Sequence, residues 1–127
     1  MVSRRRKSGF TLIELLVVLA IVSLLLTIAL PRYFASMDRA RERVLVENLR
    51  VTRDAIGKFY SDRLRYPDSL DELVDQRYLQ KLPYDPVLDK DQGWILVQPS
   101  PPARGGVADL HSAAPGAGID GRAFSDL

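Results

Sequence analysis

A single carboxylate, Glu14, interrupts the run FTLIELLVVLAIVSLLLTIAL, 21 residues from Phe10 to Leu30 with no other charge. At the centre of a bilayer an acidic side chain costs about 2.5–3.5 kcal/mol even on the lenient insertion scale. Glu14 lies nearer the edge of the run, where the cost is lower, yet an anchor with no other duty does better without it. A charge so placed asks for a cationic partner. The other candidates for chemistry are poor. Asp85, Asp89 and Asp91 fall in a Pro- and Gly-bounded turn with no neighbouring base or nucleophile, so they read as a solvated loop rather than catalytic carboxylates. The absence of cysteine excludes a disulfide framework, a thiolate zinc site and a cysteine nucleophile. The lone His111 argues against a His-rich metal site or a Ser-His-Asp centre. No catalytic residues are expected, and the chain reads as no enzyme.

The element that positions Glu14 is a helix. Twenty-one residues at 1.5 Å each span roughly 31 Å, about one hydrocarbon core, and a soluble-core helix is rarely apolar on every face. Directly before it stand Arg4, Arg5, Arg6 and Lys7. Those nine leading residues carry +4, while the rest of the 127-residue chain holds 14 basic and 16 acidic side chains. The pI near 9.1 is therefore a property of the leader, and the body offers no basic nucleic-acid surface. By the positive-inside rule the N-terminus is cytoplasmic and residues 31–127 lie across the membrane. A secretory signal peptide fits less well, since its apolar region is shorter and free of charge.

Gly9-Phe10-Thr11-Leu12-Ile13-Glu14, behind a short basic leader and ahead of Pro31-Arg32-Tyr33, resembles the N-terminal signature of type IV pilins and type II secretion pseudopilins. The resemblance implies that a prepilin peptidase cuts between Gly9 and Phe10 and methylates the new amine, making Phe10 N-methylphenylalanine. It also makes Glu14 the assembly carboxylate. The physics agrees. Cleavage removes the four cationic side chains and leaves an amine on Phe10. When many such helices bundle, that amine and Glu14 are both buried and must be paired. Pairing Glu14 of an incoming subunit with a neighbour's amine would also fix the register.

Beyond the membrane, Pro31 lacks an N–H and clashes with the carbonyl of Thr27, so it is expected to kink or loosen one continuous helix. Leu45, Leu49, Val51 or Thr52, Ile56 and Phe59 then recur at spacings of three and four, the mark of one buried stripe. Arg41, Glu42, Arg43, Glu47, Arg50, Arg53 and Asp54 read as a solvated face, available for subunit contacts in a fibre. The helix is predicted to end near Arg65-Tyr66-Pro67. Ser69-Leu70-Asp71-Glu72 is a capping box for a short helix over about 70–77. Trp94–Val97 reads as a strand and Val107–Ser112 as its antiparallel partner, joined by a mobile loop over Pro99–Gly106. The Gly-, Ala- and Pro-rich tail from Ala113 is expected to have little regular structure. The fold class is α+β, with a long N-terminal helix packed against a small antiparallel sheet. Three regions follow: a leader over 1–9 removed on processing, a transmembrane assembly stem over 10–30, and a periplasmic pilin-like head over 31–127.

Arg65-Tyr66-Pro67, Leu73-Val74 and Leu82-Pro83-Tyr84-Asp85-Pro86 followed by a strand make the head similar to the major, G-type pseudopilin. The chain departs from that family over Val87–Trp94, and its tail keeps only part of the family's calcium loop. The resemblance implies a possible Ca²⁺ with oxygens from Asp109, Ser112, Asp120 and Asp126, Asp109 and Asp120 foremost, since Ca²⁺ takes six to eight oxygens from flexible loops. It further implies a homopolymeric filament in the bacterial inner membrane and periplasm that drives type II protein secretion. The expected partners are further copies of the chain, minor pseudopilins, the assembly platform, the prepilin peptidase and inner-membrane lipid, with no nucleic acid. A type IV pilus subunit, a minor pseudopilin, or an unprocessed bitopic protein with a ligand-binding head are the alternatives.

Overall fold

The structure is a computed structural model that describes Ser3, residues 6–100 and residues 106–127. Arg4, Arg5 and most of the Pro99–Gly106 connection lie outside the described residues. The elements are helix α1 (Leu12–Arg63), helix α2 (Leu70–Asp75), strands β1 (Ile95–Val97) and β2 (Asp109–His111), and a closing 3-10 turn (Phe124–Asp126). The chain divides into two compact units, Met1–Met37 and Asp38–Leu127. The fold is α+β and pilin-like, a long N-terminal helix with a small two-stranded antiparallel sheet.

In the first unit, α1 runs through Pro31 without interruption. The apolar stretch of α1 in this unit is long enough to cross a membrane, and none of it is buried. Apolar side chains exposed on every side, from Leu12 to Leu30, need a non-aqueous surrounding. Length and hydropathy suit a membrane span.

In the second unit the α1 stripe is Leu45, Leu49, Thr52, Ala55, Ile56 and Phe59, all buried. Thr52 rather than Val51 takes the inward position. Its hydroxyl donates to the Asn48 carbonyl at 2.7 Å, so the polar atom is satisfied inside the core. Leu70, Leu73, Val107 and Leu110 close over the stripe, and Trp94, Phe124 and Leu127 pack at its margin. β1 pairs with β2 in the register Ile95 with His111, Leu96 with Leu110 and Val97 with Asp109. Leu110 points into the core, whereas all three residues of β1 are exposed.

Helix α2 is capped as the sequence predicts, but with a shifted reciprocal contact. The Ser69 hydroxyl accepts from the Glu72 N–H at 3.3 Å. Glu72 returns the bond one residue earlier, accepting from the Asp68 N–H at 2.7 Å. The displacement follows from Arg65, whose guanidinium forks onto both Glu72 oxygens. That hydrogen bond, first, holds the Glu72 carboxyl below its ordinary value, against the opposing effect of burial. A carboxylate depressed on folding stabilises above its unfolded pKa and loses that contribution as pH falls through the folded one. The thermal midpoint of the second unit is therefore expected to fall on acidification from about pH 4.5. Glu72→Gln should flatten that part of the profile, and a pH series of melts reads both.

The tail differs from its expectation. Ala117 and Ala123 form an isolated antiparallel bridge, and Phe124–Asp126 closes a 3-10 turn. The tail looks unstructured by composition because Gly, Ala and Pro dominate it and large apolar residues are few. What orders it is packing of Ala114, Phe124 and Leu127 against the core, joined by hydrogen bonds to polar side chains of α1, which composition does not register.

Candidate assembly site

The backbone is non-helical through Phe10, and α1 begins two residues later. Phe10 is 92% exposed, and a Cβ added at Gly9 would meet nothing within 4 Å. The Gly9–Phe10 peptide is thus accessible and free of the intrahelical bonds that would keep a peptidase off. Thr11 then caps the helix. Its hydroxyl accepts from the Glu14 N–H at 3.2 Å, and the Glu14 carboxylate lies 3.5 Å from the Thr11 N–H. This is the Thr-x-x-Glu form of the capping box. An acid in the first turn also meets the positive end of the helix dipole. Glu14 therefore has a local partner in the single chain, which lowers its cost before any neighbour arrives. Thr11 and Glu14 carry the same spacing as Ser69 and Glu72, so this cap is legible in the sequence.

The tail residues proposed for calcium stand apart from one another in function. Asp109 takes the Arg53 Nε at 2.7 Å on Oδ1, and the Leu110 N–H binds the same oxygen at 2.8 Å. Burial pushes the Asp109 carboxyl up, but Arg53 and that N–H outweigh it and hold the group below its ordinary value. Ser112 is fully buried and donates to Asp85. Asp120 is paired with Arg122 at 2.8 Å, whose hydrogen bond lowers the Asp120 pKa. Asp126 lies exposed in the 3-10 turn. Among the described residues no group of three or more His, Asp or Glu could hold a metal ion. These donors do not fit Ca²⁺, which needs six to eight converging oxygens.

Two readings of the turn and the helix face change with the structure. Asp85 is not solvated: it is 1% exposed. Its Oδ1 accepts from the Val87 and Leu88 N–H groups at 2.9 and 3.1 Å, while Oδ2 accepts from Ser112. An Asx turn followed by burial explains this, for the carboxylate satisfies the turn it begins. Asp89 and Asp91 are exposed, as expected of a loop. Arg53 does not belong to a solvated face. Besides Asp109 it donates to the carbonyls of Leu110 and Leu127 at 3.0 and 2.7 Å. Glu42, also assigned to that face, accepts from the Ile119 N–H at 3.0 Å.

The prokaryotic N-terminal methylation motif family matches residues 4–30, the stretch that contains Gly9, Phe10 and Glu14. The type II secretion system core protein G of Aeromonas hydrophila is 29% identical over 140 residues, covering 97% of this chain and 90% of that protein. The core protein G of Pseudomonas aeruginosa is 31% identical over 99 residues, covering 65% of this chain and 70% of its own. The chain belongs to the G-type pseudopilin family. The similarity to this pseudopilin's pilin relatives is more local: the type IV major pilin protein PilA of Myxococcus xanthus is 37% identical over 68 residues, 31% of its length. No solved structure matches significantly. As a G-type pseudopilin with an exposed apolar span, the chain fits a protein anchored in the inner membrane.

Proposed function

We propose that this pseudopilin is a structural, non-enzymatic subunit of a periplasmic filament that drives type II protein secretion. The observation that carries the reading is the first unit itself. Its helix exposes apolar side chains on every face, with Glu14 the single charge between Leu12 and Leu30. Such a helix is satisfied in lipid before assembly and against copies of itself afterwards. Basic residues 4–7 hold the N-terminus in the cytoplasm and residues 31–127 reach the periplasm. The prepilin peptidase cuts the accessible Gly9–Phe10 peptide and methylates the Phe10 amine. Glu14 then exchanges its local N-cap contact for the amine of a neighbouring subunit. Further copies of the chain, minor pseudopilins and the assembly platform are its partners.

Processing tests this directly. Intact mass of the protein from its native membrane is expected to show a chain lacking Met1–Gly9 and carrying one additional methyl group. A chain that keeps residues 1–9 beside an active prepilin peptidase overturns the reading and makes the protein an ordinary bitopic anchor.

A further inference from the structure

We infer that the tail of this pseudopilin is held to α1 by a guanidinium latch at Arg53, where the resemblance implied calcium, and that its order is independent of the metal. Three oxygens from two distant parts of the chain, two on β2 and one at Leu127, converge on one guanidinium: Asp109 Oδ1 at 2.7 Å, the Leu110 carbonyl at 3.0 Å and the Leu127 carbonyl at 2.7 Å. Convergent oxygens are what a hard cation requires, and here a side chain supplies the positive charge. The planar fork of arginine offers five donors and stays charged at any working pH. A divalent ion at the same oxygens would have to displace it against like-charge repulsion.

The neighbouring groups favour the same arrangement. The second Asp109 oxygen lies 3.8 Å from His111 Nε2, and His111 Nδ1 lies 3.3 Å from the Leu127 carbonyl. Asp120 is neutralised within the tail by Arg122. A second attachment stands further along α1, where Glu42 accepts the Ile119 N–H. Gly118 passes so close that an added Cβ would overlap the Glu42 carboxylate. A helix carboxylate and a helix guanidinium thus grip the tail at two points. Each answers the charge of what it holds: an N–H for Glu42, oxygens for Arg53.

The test uses the full chain in detergent micelles. Trp94, the only tryptophan, serves as the reporter because it packs at the core margin and donates to the Pro83 carbonyl at 3.0 Å. The fluorescence melt is expected to have the same midpoint in millimolar calcium and in chelator. Arg53→Ala is expected to lower that midpoint by about 4–8 °C in both conditions. Asp109→Ala should cost less on the Arg53→Ala background than alone, because the two residues share one interaction. Arg53→Lys should fall between, since an ammonium cannot reach all three oxygens, and it serves if the alanine variant does not fold. A calcium-dependent rise in the wild-type midpoint overturns the latch. So do additive losses for Arg53 and Asp109, or a wild-type melt from Arg53→Lys. The readout needs no filament, so failure of the assembly reading would leave it intact.

Discussion

Glu14→Ala is expected to leave the chain in the membrane and to abolish filament growth. Insertion survives because the substitution makes α1 more apolar, and the positive leader that sets orientation is untouched. Loss of the Thr11–Glu14 cap weakens only the first turn, which neighbouring lipid-embedded turns of a 52-residue helix readily tolerate. Assembly fails for another reason. Under the proposed processing a neighbour presents a methylated amine, and without a carboxylate that amine stays charged and unpaired among apolar helices. Stranding one member of a buried ion pair is far costlier than omitting both. Membrane fractionation and filament yield after overexpression separate the two effects. Filaments from the variant at wild-type yield would remove Glu14 from assembly. Loss of the protein from the membrane would instead make Glu14 an insertion determinant.

The other large effect is expected in the second unit, in the turn begun by Asp85. Asp85→Ala should destabilise the unit by about 3 kcal/mol, enough to lower its melting midpoint by well over 10 °C. The carboxylate is buried and accepts from two backbone N–H groups and from the buried Ser112 hydroxyl. Removing it leaves the buried Ser112 hydroxyl and the half-buried Val87 and Leu88 N–H groups without their acceptor. Ser112 in turn accepts from the Ala114 N–H at 3.1 Å, so the loss passes into the start of the tail. Asp85→Asn keeps an acceptor for the turn and is expected to cost less than half as much. Chemical denaturation followed by Trp94 fluorescence measures both. Equal midpoints for the alanine variant and the wild type would show that the turn forms without its carboxylate.

How much of this could be read from the chain alone differs between its two units, and the reason is physical. In the first unit everything turns on composition. A run of 21 residues with one acid, behind a basic leader, marks a helix apolar enough for a membrane and a charge in need of a partner, because bilayer and peptidase read local sequence. The α1 stripe and the Ser69 cap were equally legible, since helix period and capping spacing are short-range. The second unit depends on contacts far apart in sequence. Nothing near Arg53 says that it meets Asp109, Leu110 and Leu127, and nothing near Asp85 says that Ser112 will close over it. A charged residue on a helix reads as solvated until another segment is laid across it. The sequence alone therefore determined the anchor, the processing motif and the helical stripe. The tertiary structure decided which polar side chains of α1 and the Asp85 turn are buried, and hence that the tail is gripped by protein groups. Burial of a polar side chain is a property of its distant neighbours, and only the folded chain brings them together.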